Sequence, residues 1–160
     1  MKETGEFSSH VNKENFTIEK GLLNCNSELV VYLISCKVCG IQNVGSTKTK
    51  FRTRINNYKS VHRKVRTKSF GEQSQNRARA TSRNNNTNLQ TKKETKYCQE
   101  KFHQHFCEVG HKGITDWEII LIDSANTETT LRKKELFWQY KLDTFFPSGL
   151  NEIEAYIDIT

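Results

Sequence analysis

The stretch Val30-Val-Tyr32-Leu-Ile-Ser-Cys36-Lys-Val-Cys39-Gly40-Ile-Gln-Asn43-Val-Gly45 decides the fold. Its first part, Val30 to Ser35, is a β-branched run of strand length that ends at Cys36. A second short run, Ile41 to Val44, stops at Gly45. Cys36-Lys-Val-Cys39-Gly40 joins the two as a turn whose glycine supplies a positive φ, so the whole reads as a hairpin. Ser46 or Thr47 then stands where a helix cap is wanted, and a helix is expected through about Lys59. Phe51, Ile55 and Tyr58 recur along it at helical spacing, with Arg52 and Arg54 off that stripe.

From Val61 onward the character changes. Basic residues run from Arg63 to Lys96, opposed only by Glu72 and Glu94, with almost no large apolar side chain after Gly71. Residues 63–96 are expected to be a flexible basic insertion in a domain spanning 28–160, preceded by an extension over 1–27. Order resumes near Tyr97. Asp116 to Asp123 reads as a third strand, and Asn126 or Thr127 starts a helix to about Tyr140. Leu131, Leu136, Phe137 and Trp138 are expected in its core face. Pro147 and Gly149 end the helical stretch in a turn, and Ile153 to Ile159 reads as a short last strand. The element order predicts a small α/β (α+β) domain with a mostly antiparallel sheet flanked by helices.

Twenty-five Lys and Arg against eighteen Asp and Glu leave a formal charge of +7, a balance that favours nucleic acid or anionic surfaces as partners. No apolar run approaches the roughly 20 residues that a membrane helix needs. The N-terminus carries charges and no apolar core of a leader, so an intracellular protein, not secreted, is expected. In that setting five cysteines read as thiols or metal ligands before disulfides. Cys36 and Cys39 form a knuckle, and His103, His105, Cys107 and His111 lie in one later segment that can complete a structural zinc site. A redox pair is the competing reading. Cys25 and Cys98 read as free thiols.

A further cluster of signals lies in Leu131-Arg-Lys-Lys-Glu135 and Pro147-Ser-Gly-Leu-Asn151. Glu135 sits among three basic neighbours, where simple helical ion pairs are the ordinary reading. A lone carboxylate with an amide nearby, in a basic protein, also suits a divalent ion held against a phosphate.

Taken in order, seven segments resemble the GIY-YIG nuclease family, and most closely the endonuclease domain of Penelope-like retroelements. They are Val30–Ile34 with Tyr32, the CxxCG turn, Asn43-Val-Gly45-Ser-Thr47, Phe51 to Tyr58 with Arg54, Phe102 to His111, Leu131 to Glu135, and Pro147 to Asn151. The resemblance implies a three-stranded antiparallel sheet flanked by helices and a metal-dependent DNA endonuclease, one that nicks with low sequence specificity in retroelement insertion. It implies Tyr32 as the first-signature tyrosine, Arg54 as the phosphate-binding arginine, and Glu135 as the ligand of catalytic Mg2+ or Mn2+. Asn151 becomes the asparagine of the site, and Cys36, Cys39, His105 and His111 the zinc ligands. Two positions depart from the pattern. Asn43, two residues before Gly45, replaces the second-signature tyrosine, and Tyr58 replaces a histidine, so Tyr58 is carried as a substitute catalytic residue. Because an amide is no general base, an inactive zinc-stabilised DNA-binding module is the alternative. Arg52, Arg63, Lys64 and Arg66 are expected to contact DNA. Nuclear residence and a reverse transcriptase partner from the same element follow from the resemblance, while target and oligomeric state stay open.

Overall fold

The computed structural model describes residues 5–18, 23–71, 101–108 and 110–152, the side chains of 67–71 excepted. Strands β1 (Glu6–Ser8) and β2 (Asn15–Thr17) pair as a short antiparallel hairpin. Strands β3 (Val30–Cys36), β4 (Gln42–Thr47) and β5 (Trp117–Ser124) form an antiparallel three-stranded sheet in the order β4-β3-β5. Helix α1 spans Phe51–Gly71, α2 Lys101–His105 and α3 Glu128–Leu142, and a 3-10 turn, Gly113–Asp116, leads into β5. This is the mixed α+β architecture with an antiparallel sheet flanked by helices.

β3 is central because both of its faces are apolar, as expected of a strand covered on two sides. Val30, Tyr32, Ile34 and Cys36 pack with Phe51 and Ile55 of α1, Phe102, Phe106, Trp117 and Leu121. Val31 and Leu33 face the other way, toward Phe7, Val44, Ile122, Leu131 and Leu142. Phe7 ties the N-terminal hairpin to this second cluster, and its burial contributes about 2 kcal/mol. Asp123 fixes α3 against the sheet, accepting from Lys134 Nζ at 2.6 Å and from Trp138 Nε1 at 2.9 Å.

Several sequence expectations are corrected. The second strand does not stop at Gly45 but runs to Thr47, pairing Gly45 with Tyr32 and Thr47 with Val30. Gly45 is there for close approach: a Cβ on it would lie 2.7 Å from the Tyr32 ring and hydroxyl. Gly40 does take the positive φ expected of the knuckle, +82°. Ser46 and Thr47 therefore belong to β4 and cap nothing, and α1 begins at Phe51.

The helix also outlasts Lys59, because His62 and Val65 are buried and continue the stripe begun by Phe51, Ile55 and Tyr58. Residues 63–71 are consequently helix and not insertion, while 72–96 lie outside the described residues, as does the strand expected at 153–159. On α3, Thr127 accepts from Thr130 N at 3.1 Å as the N-cap, and Asp143 closes the helix at φ 51°. Its inward stripe is Leu131, Gln139 and Leu142 with Trp138 packed alongside, which leaves Phe137 56% exposed instead of in the core. Among the described residues no helix is long and apolar enough to cross a membrane.

Candidate functional site: a polar constellation at the β4 edge and a Cys/His cluster

Strand β4 is an edge of the sheet, and three consecutive residues on it gather the sequence-predicted site. Val44 is held by Asn151, whose carboxamide oxygen accepts from Val44 N at 2.8 Å and whose Nδ2 donates to Val44 O at 2.7 Å. The side chain thereby pairs the open edge as a neighbouring strand would. Gly45 lies under the Tyr32 ring. Ser46 donates from Oγ to Glu135 Oε2 at 2.7 Å.

Arg54 reaches the same place from α1. Its Nε donates to the Tyr32 hydroxyl at 3.1 Å and its Nη2 to the Tyr58 hydroxyl at 3.2 Å, with the guanidinium 4.5 Å from the Tyr58 ring centre. Arg54 and Tyr58 stand one helical turn apart, which places them on one face. Burial would lower the Arg54 pKa, but the two tyrosines outweigh it and hold it above the ordinary value, so the guanidinium stays charged. Tyr32 is fully buried, and that burial drives its pKa well above the ordinary phenol value. Tyr58 adds to the rise, and the opposing Arg54 charge does not cancel it. Tyr32 is thus a protonated phenol near neutrality. It can orient Arg54 but cannot act as a base.

Burial also raises the Glu135 carboxyl, against the lowering effects of the Ser46 bond and of the Arg132 and Arg54 charges. The guanidinium and the carboxyl come from helices on opposite faces of the sheet, Arg54 reaching Tyr32 above Gly45 and Glu135 reaching the neighbouring Ser46. Asn151, by contrast, spends both amide groups on backbone and serves as a clamp of the strand. Asn43 is buried opposite Ile34, on the face of the sheet that Tyr32 shares. Of the DNA-contact candidates, Arg63 and Lys64 are exposed on α1, Arg52 is exposed and donates to Asn26 Oδ1, and Arg66 donates to Lys112 O at 2.6 Å. Ser46, one of two residues expected at a helix cap, instead serves the site through its bond to Glu135, 89 positions away in sequence.

The second feature is a closed set of ligand atoms. Cys36 Sγ, Cys39 Sγ and one ring nitrogen each of His105 and His111 all lie within 4.8 Å of one another. Cys39 Sγ is 3.4 Å from His105 Nε2, and the two imidazole centres are 4.3 Å apart. Zn–S bonds of about 2.3 Å and Zn–N bonds of about 2.0 Å put tetrahedral ligand atoms roughly 3.3–3.8 Å apart, so a slight contraction fits a metal ion. Both nitrogens of His111 are buried without a hydrogen-bond partner among the described residues, a cost that ligation removes. Burial, with the His111 charge, lowers the His105 pKa and favours the neutral imidazole that a metal takes. The cluster can hold a metal ion such as zinc.

The choice among the histidines follows from helix geometry. His103 and His105 are two residues apart on α2 and so point nearly opposite ways. His105 faces the knuckle, whereas His103 is buried against His62, with ring centres 5.8 Å apart. Burial first, and then the His62 and Arg54 charges, bring the His103 pKa down to about 4. Cys107 stands outside the cluster. No family model, no curated protein and no solved structure matches this chain.

Proposed function

We propose that the chain is a metal-dependent DNA endonuclease of the GIY-YIG kind, hydrolysing phosphodiester bonds with low sequence specificity in the course of retroelement insertion. One observation carries the reading: Tyr32, Glu135 and Asn151 converge on the consecutive residues Val44-Gly45-Ser46, with Arg54 bonded to Tyr32.

Hydrolysis of a phosphodiester builds negative charge on the phosphoryl oxygens. Arg54 supplies a permanent cation in a planar fork that matches those oxygens, and the two phenols fix the direction of the fork before substrate arrives. Glu135 would hold Mg2+ or Mn2+, which when bound supplies Lewis-acid polarisation of the phosphate. The residues fit that use: Ser46 holds one carboxylate oxygen, and burial disfavours the carboxylate until a cation faces it. A single carboxylate suits an ion that keeps most of its waters. The exposed Arg63, Lys64 and Arg52 would contact neighbouring phosphates without regard to base sequence. Cys36, Cys39, His105 and His111 would hold a structural zinc that fastens α2 to the hairpin turn. Nuclear residence and a reverse transcriptase of the same element as partner belong to this reading.

A second reading, the inactive zinc-stabilised DNA-binding module, is favoured by two observations. Asn43 is buried where a tyrosine would handle the attacking water, and Tyr32 is held protonated. Relaxation of supercoiled plasmid in Mg2+ or Mn2+ separates the two readings. Nicking by the wild type that is lost in Glu135→Ala supports the enzyme. Equal, background-level relaxation by both, with DNA binding intact, supports the module, and a gain in Asn43→Tyr would identify the missing group.

A further inference from the structure

The flank of α1 that faces β5 carries a cleft of about 430 Å3 that the β4-edge constellation does not use. Its floor is apolar, formed by Phe51, Ile55, Trp117 and the partly exposed Ile114 and Ile119. Lys37, Arg52 and Lys59 stand round it, against Glu118 as the single carboxylate of the lining. Lys37 Nζ donates to Thr115 O at 3.0 Å and Arg52 to Asn26 Oδ1, both neutral oxygens. Among the described residues none of the ion pairs involves Lys37, Arg52 or Lys59. The size is within the roughly 300–1,000 Å3 range of small-ligand sites, which are mostly apolar with a few placed polar groups.

We infer that this cleft binds one unstacked nucleotide of a single DNA strand, its base on the isoleucine floor and its phosphates on Lys37, Arg52 and Lys59. Three cations with no carboxylate partner among the described residues favour an anion, and the apolar floor favours an anion that carries a flat ring over inorganic phosphate. The choice of DNA over other such anions rests on the nuclease reading. Lys37 lies between the two knuckle cysteines, and its backbone N–H donates to Asp116 O at 2.8 Å, so the knuckle turn contributes this one residue to the cleft. Arg52 lines the cleft and Arg54 does not, and two residues apart on α1 they point to different flanks of the helix.

The test is fluorescence anisotropy of fluorescein-labelled (dT)4 with the metal-replete full chain, at low salt and with no added divalent ion. Reversing both cations in Arg52→Glu/Lys59→Glu is expected to weaken binding about tenfold or more. Lys48→Glu/Lys133→Glu, which changes net charge equally on exposed surface away from the cleft, is expected to weaken it less than about twofold. Equal losses in the two doubles, or none in the first, overturn the proposal. Competition by dTMP would show that a free nucleotide suffices, and competition by unlabelled (dT)4 alone that flanking phosphates are needed. Both outcomes support the site, and failure of (dT)4 to bind at all overturns it. Because nothing here reads cleavage, a protein that binds (dT)4 but nicks nothing refutes the nuclease reading and leaves the cleft standing.

Discussion

Replacing Asn151 by Ala removes a side chain whose two polar ends are both spent on one backbone position. The wild-type carboxamide accepts from Val44 N at 2.8 Å and donates to Val44 O at 2.7 Å, and it is only 9% exposed. Leaving a buried donor and a buried acceptor unpaired costs about 1–3 kcal/mol apiece, so Asn151→Ala should lose about 2–6 kcal/mol. That is a large share of a small domain's total of about 5–15 kcal/mol. Urea unfolding followed by circular dichroism measures it, and the slope of the transition should stay the same while the midpoint falls. Asn151→Asp sharpens the test. An ionised carboxylate still accepts from Val44 N but opposes Val44 O, whereas the protonated acid reproduces both bonds. Its folded pKa is therefore raised, and the stability it restores is present at acid pH and lost as pH climbs through that raised value. A purely catalytic asparagine would behave differently. Loss of less than about 0.5 kcal/mol in Asn151→Ala, with no pH dependence in Asn151→Asp, would refute the clamp.

Other consequences follow from the same geometry. Metal analysis of protein purified without chelator should find about one zinc per chain, lost in Cys36→Ser/Cys39→Ser together with a lower melting temperature, and a stoichiometry near zero in the wild type would contradict the cluster. Gly45→Ala places a methyl group 2.7 Å from the Tyr32 ring and should destabilise by about 1–3 kcal/mol, which thermal unfolding reads directly. Glu135→Gln should be more stable than wild type near neutrality in metal-free buffer. Burial raises the folded carboxyl pKa, so the stability tied to its protonated form is present in acid and disappears as pH rises through that value. The advantage of the variant should vanish on acidification, and its persistence there would count against a buried carboxyl.

How far these features could be read without coordinates depended on whether their causes were local. The β3–β4 hairpin was legible because β-branched runs and a CxxCG turn state it within a few residues, and Gly40 took the expected left-handed conformation. Gly45 was misread as a stop because its reason, the Tyr32 ring on the facing strand, lies thirteen positions away in sequence. The length of α1 was missed because its stripe continues through His62, polar by composition yet buried against Phe106 and Trp117. Sequence spacing alone could have found it, since His62 and Val65 prolong the positions of Ile55 and Tyr58. Helical geometry put His103 and His105 on opposite sides of α2, but the packing of His103 against His62 is what leaves His105 for the knuckle. The clamp of Asn151 on Val44 and the bond from Ser46 to Glu135 span 107 and 89 positions, and no local pattern encodes them.

If Arg54 and Glu135 serve one phosphodiester, as proposed, a double-mutant cycle on plasmid nicking will show their coupling. Arg54→Ala and Glu135→Ala are each expected to lower the rate by about a hundredfold or more, and the double variant to lose little beyond the worse single. Losses that multiply, so that the double variant falls by the product of the two, would mean that the two residues work at separate places, and a wild type with no nicking in Mg2+ or Mn2+ would contradict the account at its root.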